Sequence, residues 1–450
     1  MNSLRVLAIA LISSVALYAA DDFDLPSEIE SVKPAEFAPI ETDSAGDTIV
    51  PDLANTIAVS SEPANPVTST PANNGNTTPA AIVAKKIPTS LNRPVRVGVY
   101  TDEKTLFVKY NGEEFSVSAK NGKIKIEKGK STKTENFLSL KQSGRCTSIA
   151  PDKKTLKFSC FPGDFKITAK GNTLTAINSV SVEEYLRGVI PYEIGKLDSS
   201  RFSALEAQAI AARTYAYKHF GSRESLGFDI FADTKDQVYK GLASATSLTD
   251  SAVKKTAGIV MTYNGEFIIA YYHSTCGGET ETLATWEREN LPYLQSKPDL
   301  RPDGTPWCNE SSYTSWERKF SDKETVSLFK QNAKETKAKI TNFSSVYSIS
   351  ILDTLPSGRI LTLEINTDKG TYEVVGDKVR WLFKKNGAIL PSSFFRIGHD
   401  DNGWVIQGKG FGHGVGLCQM GVRARAAAGQ DFATILNHYY TGITLERFEK

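Results

Sequence analysis

Apolar and polar residues alternate through residues 91–178, in the segments PVRVGVYT, TLFVKYNG, EFSVSAKNG, KIKIEKG and FKITAKGN. A period of two predicts β-strands that bury one face. The pairs Asn111-Gly112, Asn121-Gly122 and Gly171-Asn172 follow these segments and are typical of hairpin turns. We predict a small β domain at 91–178. It carries no recognisable catalytic cluster, which favours a binding or spacer module.

A helical pattern replaces the alternation in VSVEEYLRGVIPYEIGKLDSSRFSALEAQAIAARTYAYKHFG, residues 180–221. It predicts a first helix at 182–190 that stops at Pro191, because a proline ring clashes with the preceding turn. A second helix is expected to begin with a capping box of Ser203 and Glu206 and to end at Gly221. Glu193 then lies on the short connection between two packed helices.

The pattern stays mixed from residue 179 to the C-terminus. It predicts a helix at 247–256, a hairpin turning at Asn264-Gly265, a charged helical segment at 317–337 and strands in VYSISILDTL and RILTLEINTD. A helix that stops at Gly429 and a last helix capped by Asp431 complete the chain. We predict an α+β domain of helices and antiparallel strands at 179–450.

The first ninety residues have a different composition. Residues 1–20, MNSLRVLAIALISSVALYAA, are predicted to be a signal peptide or an uncleaved N-terminal anchor, with Arg5 before a short apolar run. Residues 21–90 are rich in Pro, Ala, Ser, Thr and Asn and predict a disordered tether. We therefore expect export to the periplasm or cell envelope, with membrane contact only through the N-terminal segment.

Length and charge exclude some classes of protein. The chain has 450 residues, enough for two or more domains, and a formal net charge of +2. So balanced a charge argues against a large basic face, and we predict no nucleic-acid partner.

The five cysteines permit several arrangements. In an oxidising compartment we expect Cys146–Cys160 and Cys276–Cys308 disulfides, leaving Cys418 alone. His273 and Cys276 also stand together in HSTC, which leaves three interpretations open: a Cys/His nucleophile pair, half of a zinc site completed by Cys308 and His413, or a disulfide cysteine beside a histidine that orders the loop.

Two further features could carry chemistry. Glu193 is either a surface residue or a general acid, since apolar surroundings raise a carboxyl pKa. The glycine-rich run GKGFGHGVG at 408–416 lacks the Gly-Lys-Ser/Thr ending of a phosphate loop. It is either a tight structural loop or a groove wall that presents His413 to a polysaccharide.

These motifs together resemble the SpoIID/LytB family, named after stage II sporulation protein D and an amidase enhancer. The matching segments are VEEYLRGVIPYEI, ALEAQAIAARTYAYKH, FADTKDQVYKGL, YYHSTCGGETE, PYLQSKPD, SGR, GDKVRW and GKGFGHGVGLCQMG. They occur in the family's order over about residues 179–445.

The resemblance implies a peptidoglycan lytic transglycosylase. Such an enzyme cuts glycan strands that lack stem peptides, between MurNAc and GlcNAc, and leaves a 1,6-anhydro-MurNAc end. Glu193 would be the general acid and base. The residues implied to shape the substrate groove are Arg213, Tyr215, Gln237, Tyr239, His273, Ser274 and His413.

The resemblance leaves the metal and the activity open. Some members carry zinc on closely spaced His and Cys after the HST segment, where this chain has only His273 and Cys276, so we assign no metal or other cofactor. The alternative function is a non-catalytic cell-wall-binding protein that stimulates an N-acetylmuramoyl-L-alanine amidase. An amidase acting upstream is the expected protein partner.

Overall fold

The computed structural model describes residues 82–449. The predicted export signal lies outside these residues, and so does the predicted tether up to residue 81. The end of the tether is ordered, because Val83–Lys86 pairs in parallel with the C-terminal strand Thr444–Glu449. Within the described part of the chain, no helix is both long and apolar enough to cross a membrane.

The first hundred described residues are almost entirely β-structure, as the alternation predicts. The strands are β1 Val83–Lys86, β2 Val95–Glu103, β3 Thr105–Tyr110, β4 Glu113–Lys120, β5 Lys123–Lys128, β6 Ser131–Glu135, β7 Phe137–Leu140, β8 Ser148–Ala150, β9 Asp164–Lys170 and β10 Thr173–Val180. One antiparallel sheet has the order β6-β5-β4-β3-β8, and β2-β10-β9-β7 forms most of a second. The predicted turn at Asn111-Gly112 is confirmed, with φ of 51° and 77°. Cys146 and Cys160 form the expected disulfide.

Helices and short strands follow. They are α1 Val182–Arg187, α2 Ile190–Glu193, α3 Phe202–Lys218, β11 Ile230–Phe231, α4 Ser247–Lys255, β12 Ile259–Tyr263, β13 Glu266–Phe267 and β14 Tyr272–His273. The predictions of a helix at 247–256 and of a hairpin at Asn264-Gly265 are confirmed. β11 joins β2 in parallel and extends the second sheet.

The predicted ends of the first two long helices are wrong. The first helix ends at Arg187, and Pro191 lies in the first turn of α2, where its missing N–H leaves no hydrogen bond unmade. Ser203 and Glu206 both lie inside α3, which is entered from a 3-10 turn at Ser199–Arg201. Glu206 instead forms an ion pair with Lys255 on α4. Tertiary packing therefore overrides the local capping signal.

The last third of the described chain contains β15 Trp316–Phe320, α5 Asp322–Gln331, α6 Ala333–Thr336, β16 Val346–Thr354, β17 Ile360–Thr367, β18 Gly370–Val375, β19 Phe395–Asp400, β20 Gly403–Gly408, β21 Leu417–Cys418, α7 Gln419–Ala427, α8 Phe432–Tyr439 and β22 Thr444–Glu449. The segment at 317–337 begins as a strand, contrary to prediction, because β15 pairs with β20 and buries Trp316 and Phe320. Asp431 caps α8 as predicted, accepting from the Thr434 N–H at 2.7 Å.

Two hydrophobic cores are present among the described residues. One extends from the strands of the β-rich region through α1–α4 to α7, α8 and β22. The other is formed by the segments between Trp316 and Ile406. The chain is thus a mixed α+β protein, as predicted. The short parallel pair β14–β21, part of the first core, aligns Tyr272 with Leu417 and His273 with Cys418.

Candidate active site

Glu193 is the last residue of α2, a single turn packed beneath α3. Gly188 separates α1 from α2 and lies against the Tyr239 ring, so closely that a Cβ at this position would be 2.5 Å from that ring. This close approach sets the direction of α2. The helix end that carries Glu193 is therefore held by α3 and by the contact between Gly188 and Tyr239.

Three different segments bind the Glu193 carboxyl group. The Val238 backbone N–H donates to Oε1 at 2.6 Å, and Gln419 Nε2 donates to Oε2 at 3.4 Å. The Tyr272 hydroxyl also stabilises the ionised carboxylate by hydrogen bonding. These partners come from the loop after β11, from α7 and from β14, so folding of the whole region is needed to orient the acid.

Burial raises the pKa of Glu193 to about 7, although its hydrogen bonds to Val238, Gln419 and Tyr272 act in the opposite direction. Among residues 82–449, none of the groups that act on this pKa is a second carboxylate. Both protonation states are therefore populated near neutral pH, and the group can donate a proton and take one back.

Gln237 lies behind Glu193 rather than in an open groove. Its side chain accepts from the Tyr185 hydroxyl at 3.2 Å and donates to the Tyr272 hydroxyl at 3.0 Å, and it is fully buried. Gln237 therefore fixes the hydroxyl that contacts Glu193. Its predicted role in the groove becomes one of positioning.

Arg213 and Tyr239, predicted to shape the groove, are enclosed in the core. Arg213 forms a two-pronged ion pair with Glu183 at 2.9 and 2.7 Å. Tyr239 donates to Asn178 at 2.9 Å and packs between aromatic rings. Neither side chain can contact a glycan, because both are at most 1% exposed. Sequence reasoning could not separate these residues from a groove wall, since both stand in the same motifs.

Tyr215 is also buried. Its hydroxyl donates to Asp236 at 2.8 Å and its ring stacks on the partly exposed His219 at 4.0 Å. Only 7% of Tyr215 is exposed, which leaves little of it to contact a ligand.

His273 and His413 are brought together, with ring centroids 5.5 Å apart. His413 also packs on Trp286 at 4.8 Å, and Trp286 packs on Tyr271 at 5.1 Å. His413, Trp286 and Tyr271 are partly exposed, as is Ser274 beside them. We call the surface of Tyr271, Trp286 and His413 the aromatic wall.

Both histidines are neutral. Burial lowers the pKa of His273 to about 3 and lowers that of His413 well below its ordinary value. His273 Nδ1 donates to the Val415 carbonyl at 3.2 Å, and His413 Nδ1 accepts from the Val415 N–H at 3.0 Å. Of the titrating groups gathered here, Glu193 is thus the one suited to deliver a proton at neutral pH.

Arg359, in the SGR motif, joins the glycine-rich run to the HSTC segment. It donates to the Cys276 carbonyl at 2.7 Å and to the Glu279 carbonyl at 3.0 Å. Gly414 has φ of +83°, and a Cβ there would lie 2.4 Å from the Arg359 guanidinium carbon. The run is therefore shaped around a buried arginine, which supports the structural-loop interpretation, while His413 in the same run is partly exposed.

The second predicted disulfide is not formed. Cys276 and Cys308 are free and their sulfurs are 3.5 Å apart, with Cys418 beside them. Burial raises the pKa of the Cys276 thiol well above its ordinary value, and the His273 Nδ1 is bound to a carbonyl. A Cys276–His273 nucleophile pair does not fit this geometry.

Two parts of the chain match known protein families. Residues 170–263 match the family described as Stage II sporulation protein, and residues 307–416 match a domain of unknown function, DUF8618. Stage II sporulation protein D of Bacillus subtilis is 30% identical over 285 residues, covering 59% of this chain and 75% of that protein. The chain belongs to the SpoIID family.

Two other proteins are similar to this SpoIID-family chain, and the chain covers different shares of their lengths. The amidase enhancer of Bacillus subtilis is 30% identical over 295 residues, covering 58% of this chain and 40% of the enhancer. An uncharacterized protein of Brachyspira hyodysenteriae is 29% identical over 291 residues, covering 64% of this chain and 73% of that protein.

The SpoIID match contains Glu193 and Val238, while Tyr272 and Gln419 follow it in the chain. Sequence reasoning missed Val238, Tyr272, Gln419 and Arg359 as partners in the site. All four stand in motifs that were recognised, FADTKDQVYKGL, YYHSTCGGETE, GLCQMG and SGR, which was the available signal. Val238 acts through its backbone N–H, for which a side-chain pattern gives no signal.

A separate cavity of about 550 Å³ lies elsewhere in the SpoIID-family fold. It is lined by the N-terminal and C-terminal segments and by Glu183 and Tyr217, and Glu193 is not part of it. We place the candidate site at Glu193, whose carboxyl is bound by partners from three different segments.

Proposed function

We propose that this chain is a peptidoglycan lytic transglycosylase in which Glu193 is the general acid and base. The observation that carries the proposal is the fixed Glu193 carboxyl with a pKa of about 7. Membership of the SpoIID family and the similarity to a protein named amidase enhancer support a role at the cell wall.

The reaction needs one carboxyl group. Protonated Glu193 gives its proton to the glycosidic oxygen while the bond from that oxygen to the MurNAc anomeric carbon breaks. The ionised carboxylate then takes the proton of the MurNAc C6 hydroxyl, and that oxygen bonds to the same carbon. No water is consumed and Glu193 ends protonated, unlike the two-carboxylate route of most glycosidases.

The protein environment suits both steps. The Val238 N–H, Gln419 and the Tyr272 hydroxyl stabilise the carboxylate that forms after the first transfer. The aromatic wall offers ring faces of the kind that stack on sugars, and the neutral His273 lies beside it. We propose that the glycan binds along this wall. The substrate would be glycan strands without stem peptides, and the protein would act in the cell envelope.

A second candidate function rests on the amidase enhancer relative. In that case the chain binds the cell wall and stimulates an amidase without cutting glycan itself. Glu193→Gln would then stimulate the amidase as well as the wild-type chain does.

One experiment separates the two functions. Purified chain is incubated with glycan from which stem peptides have been removed, and separately with intact peptidoglycan plus an amidase. A transglycosylase releases anhydro-ended products from the first substrate without the amidase. Product that appears only when the amidase is present would support the enhancer and contradict the proposal.

A further inference from the structure

We propose that Cys276, Cys308 and Cys418 bind one Zn²⁺ ion. Their sulfurs lie within 4.8 Å of one another and all three residues are buried. They come from the HSTC segment, from the loop before β15 and from the end of β21. The inference concerns folding of the site and does not depend on the proposed activity.

The sulfur positions suit a tetrahedral ion. A Zn–S bond of about 2.3 Å places two ligand sulfurs about 3.8 Å apart. Cys276 and Cys308 have their sulfurs 3.5 Å apart, well beyond the roughly 2.05 Å of a disulfide bond. The three sulfurs are thus already close to the spacing that one ion requires.

Backbone N–H groups point at two of these sulfurs. The Cys276 N–H donates to Cys418 Sγ at 3.2 Å, the Gly278 N–H to Cys276 Sγ at 3.4 Å and the Gly421 N–H to Cys418 Sγ at 3.4 Å. Such donors stabilise thiolates, which are the form that binds metal.

Asp299 lies beside the three sulfurs but is not a member of the cluster. Its Oδ2 is 3.2 Å from Cys276 Sγ and accepts from the Tyr439 hydroxyl at 2.9 Å. Arg425 holds the other oxygen, Oδ1, at 2.7 Å. Three thiolates supply three of the four ligands that a tetrahedral Zn²⁺ ion takes, and the Asp299–Arg425 ion pair lies next to them.

A metal accounts for all three thiols, whereas a disulfide does not. A Cys276–Cys308 bond would leave Cys418 as a buried thiol beside Asp299, in a chain that already contains the Cys146–Cys160 disulfide. His273 and His413 lie outside the sulfur cluster, so the donor set differs from the His and Cys pairing considered from sequence.

The ion would tie together two parts of the active site. Cys418 directly precedes Gln419, which contacts Glu193. Cys276 lies four residues after Tyr272, and its carbonyl accepts from Arg359. Occupancy of the cluster would thus fix the strand pair β14–β21 that presents Tyr272 and Gln419.

The test measures metal and thiols in the full chain. We expect elemental analysis of the purified protein to find one Zn²⁺ per chain, and the Cys146→Ser, Cys160→Ser double variant to retain it. Cys308→Ser should lose the ion, while Glu193→Gln should keep it whatever happens to activity. Cobalt exchanged for zinc should show a thiolate-to-metal charge-transfer band.

Two results would overturn the inference. One is a wild-type chain without bound zinc in which peptide mapping finds a Cys276–Cys308 disulfide. The other is Zn²⁺ retained in full by Cys308→Ser. If that variant fails to fold, thiol titration of the wild-type chain decides instead: three thiols should be protected while zinc is bound and become reactive once a chelator removes it, and three thiols equally reactive before and after chelation would contradict the inference.

Discussion

The Val238 backbone N–H donates a 2.6 Å hydrogen bond to Oε1 of Glu193. Val238 directly follows Gln237, whose side chain is locked between the Tyr185 and Tyr272 hydroxyls. A backbone donor anchored in this way cannot rotate away from the acid. The carboxyl is therefore held in one orientation by a fixed donor, which is what an acid that later becomes a base requires.

Activity should fall on the alkaline side with an apparent pKa near 7. Burial raises the Glu193 pKa to about 7, and only the protonated form can donate to the glycosidic oxygen. Initial rates of anhydro-product formation on denuded glycan, measured across pH, test this. An alkaline limb near 4.5, the ordinary value for glutamate, would contradict the assigned environment.

Glu193→Gln should stabilise the fold at neutral and alkaline pH. The folded-state pKa of about 7 exceeds the reference value of 4.5, so the wild-type chain loses stability as pH rises through this window. The glutamine variant lacks this loss. Between pH 4.5 and pH 7 we expect the free energy of unfolding of Glu193→Gln to rise above that of the wild-type chain, by an amount on the order of 2 kcal/mol.

Thermal or denaturant unfolding at several pH values measures this difference. Glu184→Gln, which makes the same chemical change at a half-exposed residue of α1 and removes its ion pair with Arg187, is the control. An advantage of Glu193→Gln that shrinks as pH rises would refute the sign of the shift.

Gly414→Ala should destabilise the chain by roughly 2–4 kcal/mol. The new Cβ would lie 2.4 Å from the buried Arg359 guanidinium, in a backbone with φ of +83°. Gly429→Ala is the control, since Gly429 has φ of +84° with no atom near its Cβ position. Gly429→Ala should lower the free energy of unfolding by only about 1 kcal/mol. Equal melting temperatures for the two variants would show that the contact with Arg359 is unimportant.

Removing the Cys146–Cys160 disulfide should lower stability by about 3 kcal/mol, as expected for a loop of this length. The Cys146→Ser, Cys160→Ser double variant should unfold at lower temperature than the wild-type chain. A melting temperature equal to the wild-type value would mean that the bond does not form in the folded protein.

Local patterns predicted the strands of the β-rich region, their hairpins and most helices correctly. The predictions failed where contacts between distant segments determine the local structure. β15 is a strand because it pairs with β20, and Glu206 forms an ion pair with Lys255 of α4 instead of capping α3. Such partners are distant in the chain, so no local period reveals them.

The same limit applies to the site. Glu193 could be found because it follows Pro191 in VEEYLRGVIPYEI, a motif that resembles the SpoIID family, although Pro191 starts α2 rather than ending α1. Arg213 and Tyr239 stand in equally clear motifs but serve the core, and Cys418 joins Cys276 only through the β14–β21 pairing. Spacing along the chain does not show whether a side chain faces the substrate groove or the hydrophobic core.

The central claim is tested most directly by mass spectrometry of the products that wild-type, Glu193→Gln and Glu184→Gln chains release from denuded glycan. We predict 1,6-anhydro-MurNAc ends from the wild-type and Glu184→Gln chains, and at least a hundredfold fewer from Glu193→Gln while glycan binding persists. Anhydro ends formed by Glu193→Gln at the wild-type rate would contradict the account.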